Sequence, residues 1–251
     1  MKVVYHPSYC QIYAEDPAAA PGRIEAIRDA IEGAWEFVEP DPAREADLLL
    51  VHTRAHVQYV RKDRILYDTA TLAAGGAILA ARIALSGEPA FGLIRPPGHH
   101  ASPEDCWGFC YFNNVAVSLA AIFADGAVPD ACILDFDLHF GDGTVNCFSG
   151  DSRVLYLHPE APTAQEFLET TRRSLAGAGP KGILAVSAGF DRGRSDWGNL
   201  LGEEDYRALG ALLKEYAREH CGGRRYALLE GGYHHGVLGH HVRAFLQGFG
   251  D

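Results

Sequence analysis

Positive charge is scarce in this chain: 22 Lys and Arg face 33 Asp and Glu, for a formal net charge of -11. Phosphate backbones are bound through basic patches, so direct nucleic-acid binding is not expected, whereas cationic substrates are permitted. Long apolar runs are also missing. None approaches the roughly 18 residues of a membrane span, so no membrane partner is expected. The N-terminus, MKVVYHPSYC, has no apolar stretch behind a basic segment, as a secretory signal would. No linker, low-complexity segment or internal repeat divides the 251 residues, so a single domain over 1–251 is expected. Six cysteines (Cys10, Cys106, Cys110, Cys132, Cys147, Cys221) are scattered through a chain long enough to bury a core without staples. That pattern reads as free thiols in a reducing compartment, hence a cytoplasmic protein. Cys106 and Cys110 are close, but a zinc clip needs a second pair at matching distance.

What is present is an ordinary globular balance, 47% hydrophobic and 22% charged. Short apolar runs at 2–5, 48–51, 91–94, 131–134, 154–157, 182–186 and 226–229 read as strands. Helical patterns at 21–31, 53–61, 68–86, 114–125, 163–175, 203–220 and 237–248 alternate with them. For the alanine-rich 68–86 stretch Asp68 is the expected N-cap and Gly87 the stop, and Gly75-Gly76 inside it predicts close packing against another element. Such alternation predicts an α/β fold with a mostly parallel central sheet flanked by helices. The chemically capable residues, His99 and His100, Asp135 to Asp142, Asp191 and Tyr233, fall just past the C-terminal ends of predicted strands, where open parallel sheets bind ligands.

The densest stretch is DFDLHFGDGT at 135–144, directly after an apolar run. Two carboxylates and an imidazole suit a borderline cation such as zinc, and ferrous iron is also compatible. With Asp137 and His139 as two ligands, Asp191 after the Ser-Ala-Gly-Phe turn is the best-placed third, leaving room for water and a carbonyl. His99 and His100 can carry the protons of hydrolysis. Asp135 and Asp142 are then available to orient those imidazoles, and Tyr233 is a neutral donor for an oxyanion. His52 and His56 are spaced as in a metalloprotease helix, but Thr53 stands where the glutamate would be.

RPPGHHA at 95–101, GFCYFNN at 108–114, DFDLHFGDGT, SAGFD at 187–191 and EGGY at 230–233, in this order, resemble the histone deacetylase and acetylpolyamine amidohydrolase superfamily. The resemblance implies one arginase-like α/β domain that hydrolyses an acetylamide with one zinc ion. It places Asp137, His139 and Asp191 on the zinc ligands, and His99 and His100 on the tandem histidines, His100 being the general base. It places Asp135 and Asp142 on the carboxylates behind them, and Tyr233 on the tyrosine that polarises the carbonyl. Gly108 and Phe109 fall on the wall of the substrate tunnel, and Gly232 counts with the substrate-binding residues. The implied partner is acetyl-lysine or another acetylated amine.

Several positions depart from the pattern. Phe140 replaces a second histidine that is not a ligand. The chain between 154 and 182 is short, so a loop that gives the tunnel a second aromatic is missing, and Gly198 stands near a usually bulky rim position. An open mouth is therefore expected. Tyr156 stands where relatives have a serine that helps to bind a monovalent cation, which puts a structural potassium ion in question. Two other readings share this fold: a catalytically silent binder of acylated ligands, and a binuclear manganese ureohydrolase. An intact ligand set with Tyr233 argues against the first; the lack of a further set of bridging carboxylates argues against the second.

Overall fold

The computed structural model describes residues 1–250. Seven strands form one all-parallel sheet: β1 (Lys2–Val4), β2 (Glu36–Val38), β3 (Ala90–Gly92), β4 (Ala131–Asp135), β5 (Val154–Leu157), β6 (Leu184–Ala188) and β7 (Arg225–Leu229). Their spatial order is β2-β1-β3-β7-β6-β4-β5. Strands β3, β4, β6 and β7 are buried at every residue, which explains their largely apolar sequence.

Among the described residues nine α-helices join or follow the strands: α1 (Arg23–Ile31), α2 (Glu45–Leu48), α3 (Arg54–Val60), α4 (Arg64–Leu85), α5 (Asn114–Ala124), α6 (Asp142–Cys147), α7 (Ala164–Ala178), α8 (Glu203–His220) and α9 (His235–Phe249). Helix α4 lies on β1, β3 and β7 and against α5, while α8 packs on α9 and α9 on α1. By length and composition α4 resembles a membrane span, yet 72% of its most apolar window is buried inside the domain, so its apolar character is explained by the core.

Two expectations need correction. Residues 48–51 are not a strand: Leu48 ends α2 and is buried, whereas Leu50 is 47% exposed. The seventh strand is instead β2, a short edge strand whose partial exposure leaves no apolar run to read. Helix α4 begins at Arg64 with Asp63 as N-cap, its Oδ1 accepting the Leu66 N–H at 3.0 Å. Asp68 lies within the helix, 3.6 Å from the Arg64 guanidinium. The predicted close packing is present: a Cβ on Gly75 would strike the Asp41 carbonyl, and one on Gly76 would lie 2.8 Å from the side chains of Ile94 and Tyr9.

Candidate active site

Strands β3, β7, β6 and β4 are consecutive in the sheet, and the loops at their C-terminal ends carry His99-His100, Glu230 to Tyr233, Asp191 and Asp135 to Asp142 respectively. Neighbouring strands lie about 4.8 Å apart, so the four loops fit within roughly 15 Å. Sheet order thus converts motifs far apart in sequence into one site.

At its floor the metal-competent atoms of Asp137, His139 and Asp191 lie within 4.8 Å of one another. Asp137 is fixed by the Gly231 N–H, which donates to Oδ2 at 2.8 Å, and by the His139 N–H, which donates to Oδ1 at 2.9 Å. The Leu138 N–H donates to Asp191 Oδ1 at 2.9 Å, but Asp191 Oδ2 is buried without a hydrogen-bond partner. His139 Nδ1 stands 3.2 Å from Asp137 Oδ1 and 3.1 Å from Asp191 Oδ2, the latter not aligned for a hydrogen bond. A tetrahedral zinc with bonds near 2.0–2.1 Å needs ligand separations of about 3.3 Å, so the trio fits that ion with little movement. Among themselves these groups share charge unevenly. The carboxylates of Asp137, hydrogen-bonded to the ring, and of Asp191, 3.1 Å from it, raise the His139 pKa to about 10. Burial, reinforced by Asp137, pushes Asp191 up to about 7. Burial also opposes the charge on Asp137, but His99 and His139 outweigh it and hold this carboxyl far below its usual range. Gly189 and Gly231 leave the space this arrangement uses, since a Cβ on either would press into Asp137 Oδ2.

Two imidazoles stand beside the floor, their ring centres 4.0 Å apart. His99 Nδ1 is 3.1 Å from Asp135 Oδ2, and His100 Nδ1 is 2.7 Å from Asp142 Oδ1. With Nδ1–H donated to a carboxylate, either ring in its neutral form carries its lone pair at Nε2. The two rings are shifted in opposite directions. Burial works against a cationic His99, but Asp137, Asp135 and Glu230 prevail and lift its pKa well above the ordinary value. His100 is lowered by burial and by His99, against the pull of Asp142.

The cavity above encloses about 140 Å³ and is walled by Trp107, Phe109, Trp197 and Tyr233 as well as the imidazoles. Trp107 lies over His100 at 3.9 Å between ring centres, and its Nε1–H donates to Asp142 Oδ2 at 2.9 Å. Trp197 lies over Tyr233 at 4.2 Å, and the Phe109 ring is 6.0 Å from Tyr233. Gly108 and Phe109 both have positive φ, 58° and 66°, a conformation that is strained for a phenylalanine. It turns the ring into the wall, and a Cβ on Gly108 would lie 2.5 Å from His100 Cδ2. Gly231 lines the cavity, whereas Gly232 lies behind it and its carbonyl accepts from Arg23 Nε at 2.7 Å. Two tryptophans outside the shortened 154–182 segment, Trp107 and Trp197, add aromatic surface at the mouth, each more than half exposed. No motif or spacing marks either of them, although Trp107 directly precedes the 108–114 motif.

Other residues take supporting places. Glu230 Oε2 accepts the Gly98 and His99 N–H groups at 2.6 and 3.2 Å. Cys110 accepts the His100 N–H, and all six cysteines are free thiols. His52 accepts the Asn113 N–H at Nε2, and the His56 ring bonds the Tyr111 carbonyl, so both pin loops. The Tyr156 hydroxyl donates to Asp135 Oδ2 and accepts the Gly141 N–H, both at 2.9 Å.

The model of the histone deacetylase domain matches residues 17–160. A probable deacetylase of Methanothermobacter thermautotrophicus is 32% identical over 99% of this chain and 90% of its own length. A probable deacetylase of Archaeoglobus fulgidus is 33% identical over 92% of this chain and 80% of that protein. A histone deacetylase-like amidohydrolase of Pseudomonas aeruginosa is 31% identical over 88% of this chain and 72% of that one. The solved HD domain of HDA15 superposes with a TM-score of 0.83 over 98% of this chain and 90% of that chain, at 24% identity.

Proposed function

The chain belongs to the histone deacetylase family, and from that we propose that it is a zinc-dependent amidohydrolase removing acetyl groups from acetyl-lysine or a small acetylated amine. The observation that carries this reading is the meeting of the Asp137, His139 and Asp191 trio with two carboxylate-held imidazoles at the base of one aromatic-walled cavity. Asp137, His139 and Asp191 would hold the zinc ion, which would supply Lewis acidity toward the carbonyl and the water.

The protein's own groups supply the rest. His100, its pKa lowered by burial and by His99 and its Nδ1 held by Asp142, offers Nε2 to take a proton from the attacking water. His99, held by Asp135 through Nδ1, stands beside the floor, and the imidazole pair returns a proton to the departing amine. Burial, aided by Asp137, drives the Tyr233 pKa upward, so its hydroxyl stays protonated as a donor to the oxyanion. Phe109, Trp197 and Trp107 enclose an unbranched acyl-amine stem and exclude water around it.

The test is acetate release from an acetyl-lysine peptide and from an acetylated polyamine, with bound metal measured in the same samples. Wild-type protein holding one zinc per chain should hydrolyse at least one of them. Tyr233→Phe should keep its zinc and lose about 100-fold or more in kcat. A protein that binds one zinc and releases no acetate from either would favour the silent binder, and two metals per chain the ureohydrolase.

A further inference from the structure

Arg192 follows the ligand Asp191, yet its side chain does not leave for solvent. It is 4% exposed and runs back beneath the ligand loop. Its Nε–H donates to the carbonyls of both Phe136 and Asp137 at 3.1 Å. Its Nη2 lies 3.3 Å from His158 Nε2 and 3.5 Å from the Pro159 carbonyl, and the guanidinium carbon stands 5.1 Å from the centre of the Phe167 ring. Among the described residues it forms no ion pair with a carboxylate, although buried arginines usually have one.

A buried guanidinium satisfied by carbonyl dipoles and a ring face is costly unless the surroundings favour positive charge. They do: Asp135, Asp137, Asp191 and Glu230 are all fully or almost fully buried at this end of the sheet. Converging carbonyl oxygens are also the ligand set by which proteins hold monovalent cations. Here a guanidinium fills that place. The carbonyls it bonds belong to the ligand Asp137 and to the residue before it, so Arg192 fixes the backbone from which one ligand projects. The other acidic ligand, Asp191, is its neighbour in sequence. One residue therefore ties β4 and β6 together beneath the metal-competent trio.

Taking Asp137, His139 and Asp191 as the metal site, on which this rests, we propose that Arg192 is a built-in cation that positions the ligands and makes the site independent of any soluble monovalent ion. It is a positioning residue, since it touches neither substrate nor reacting atoms. Two variants separate charge from packing: Arg192→Lys keeps a cation among the carbonyls, and Arg192→Gln keeps a donor without the charge.

The measurement is zinc affinity of the full chain by competition with a chelating indicator, in potassium chloride and in tetramethylammonium chloride at equal ionic strength. Wild type should bind zinc equally in both salts, and Arg192→Lys within about threefold of it. Arg192→Gln should bind about 10–100-fold more weakly in tetramethylammonium chloride and regain most of the loss in potassium. Equal weakening of both variants without potassium recovery would reduce Arg192 to packing and overturn the proposal. So would an unimpaired Arg192→Gln, or a wild type whose affinity rises tenfold in potassium. If Arg192→Gln does not fold in either salt, Arg192→Lys decides: wild-type affinity in both salts supports the built-in cation, and a tenfold loss rejects it. A wild type that binds no zinc would instead sink the metal-site reading itself.

Discussion

At the scale of single residues, the site depends on positions where a side chain would intrude as much as on the groups that react. Gly108 combines positive φ with a space that His100 occupies on the other side. Gly108→Ala should therefore leave bound zinc unchanged and lower kcat on the order of 10–100-fold, because a shift of about 1 Å in a general base costs that much; steady-state kinetics beside metal analysis checks it. Trp107→Phe keeps a ring over His100 but removes the hydrogen bond to Asp142. The carboxylate then orients His100 less firmly, and kcat should fall several-fold with little change in melting temperature, given about 1 kcal/mol for such a bond. The ordered motifs made His99, His100, Asp137, His139, Asp191 and Tyr233 legible as a candidate set. Trp107, Trp197 and Arg192 were not, because a lone aromatic or arginine has no spacing that announces what it will touch.

Among the elements, boundaries were harder to read than existence. Asp63 and Asp68 both precede apolar helical turns, and only hydrogen-bond geometry distinguishes the cap from a residue inside the helix. Asp63→Ala should cost about 1 kcal/mol of stability, whereas Asp68→Ala should change it by less than about 0.5 kcal/mol, the worth of an exposed i,i+4 pair. Denaturant unfolding of the two variants compares them directly. The run at 48–51 resembles a strand because apolar residues of a short helix and the turn after it also stand side by side in sequence. Strand β2 went unread because an exposed edge strand need not be apolar. Buried central strands carry the clearest pattern, so the four that position the site were also the most legible.

For the whole molecule, strand order is what gathers the chemistry. Nothing in a linear sequence states that β3, β7, β6 and β4 are neighbours, yet that order brings the four site loops together. A metal shared by loops after β4 and β6 also couples the site to the fold. Zinc at a hundredfold excess over its Kd adds about 2.7 kcal/mol to the folded state, so removal by chelation should lower the melting temperature by roughly 5–10 °C, reversibly. The central claim, that one metal held by Asp137, His139 and Asp191 is what the chemistry uses, is tested most directly by titrating zinc into metal-free protein while following acetate release from an acetylated amine. Activity should rise linearly and level off at one equivalent per chain, and Asp191→Ala should show no such rise. A break at two equivalents, or acetate release undiminished in the metal-free protein, would contradict the account.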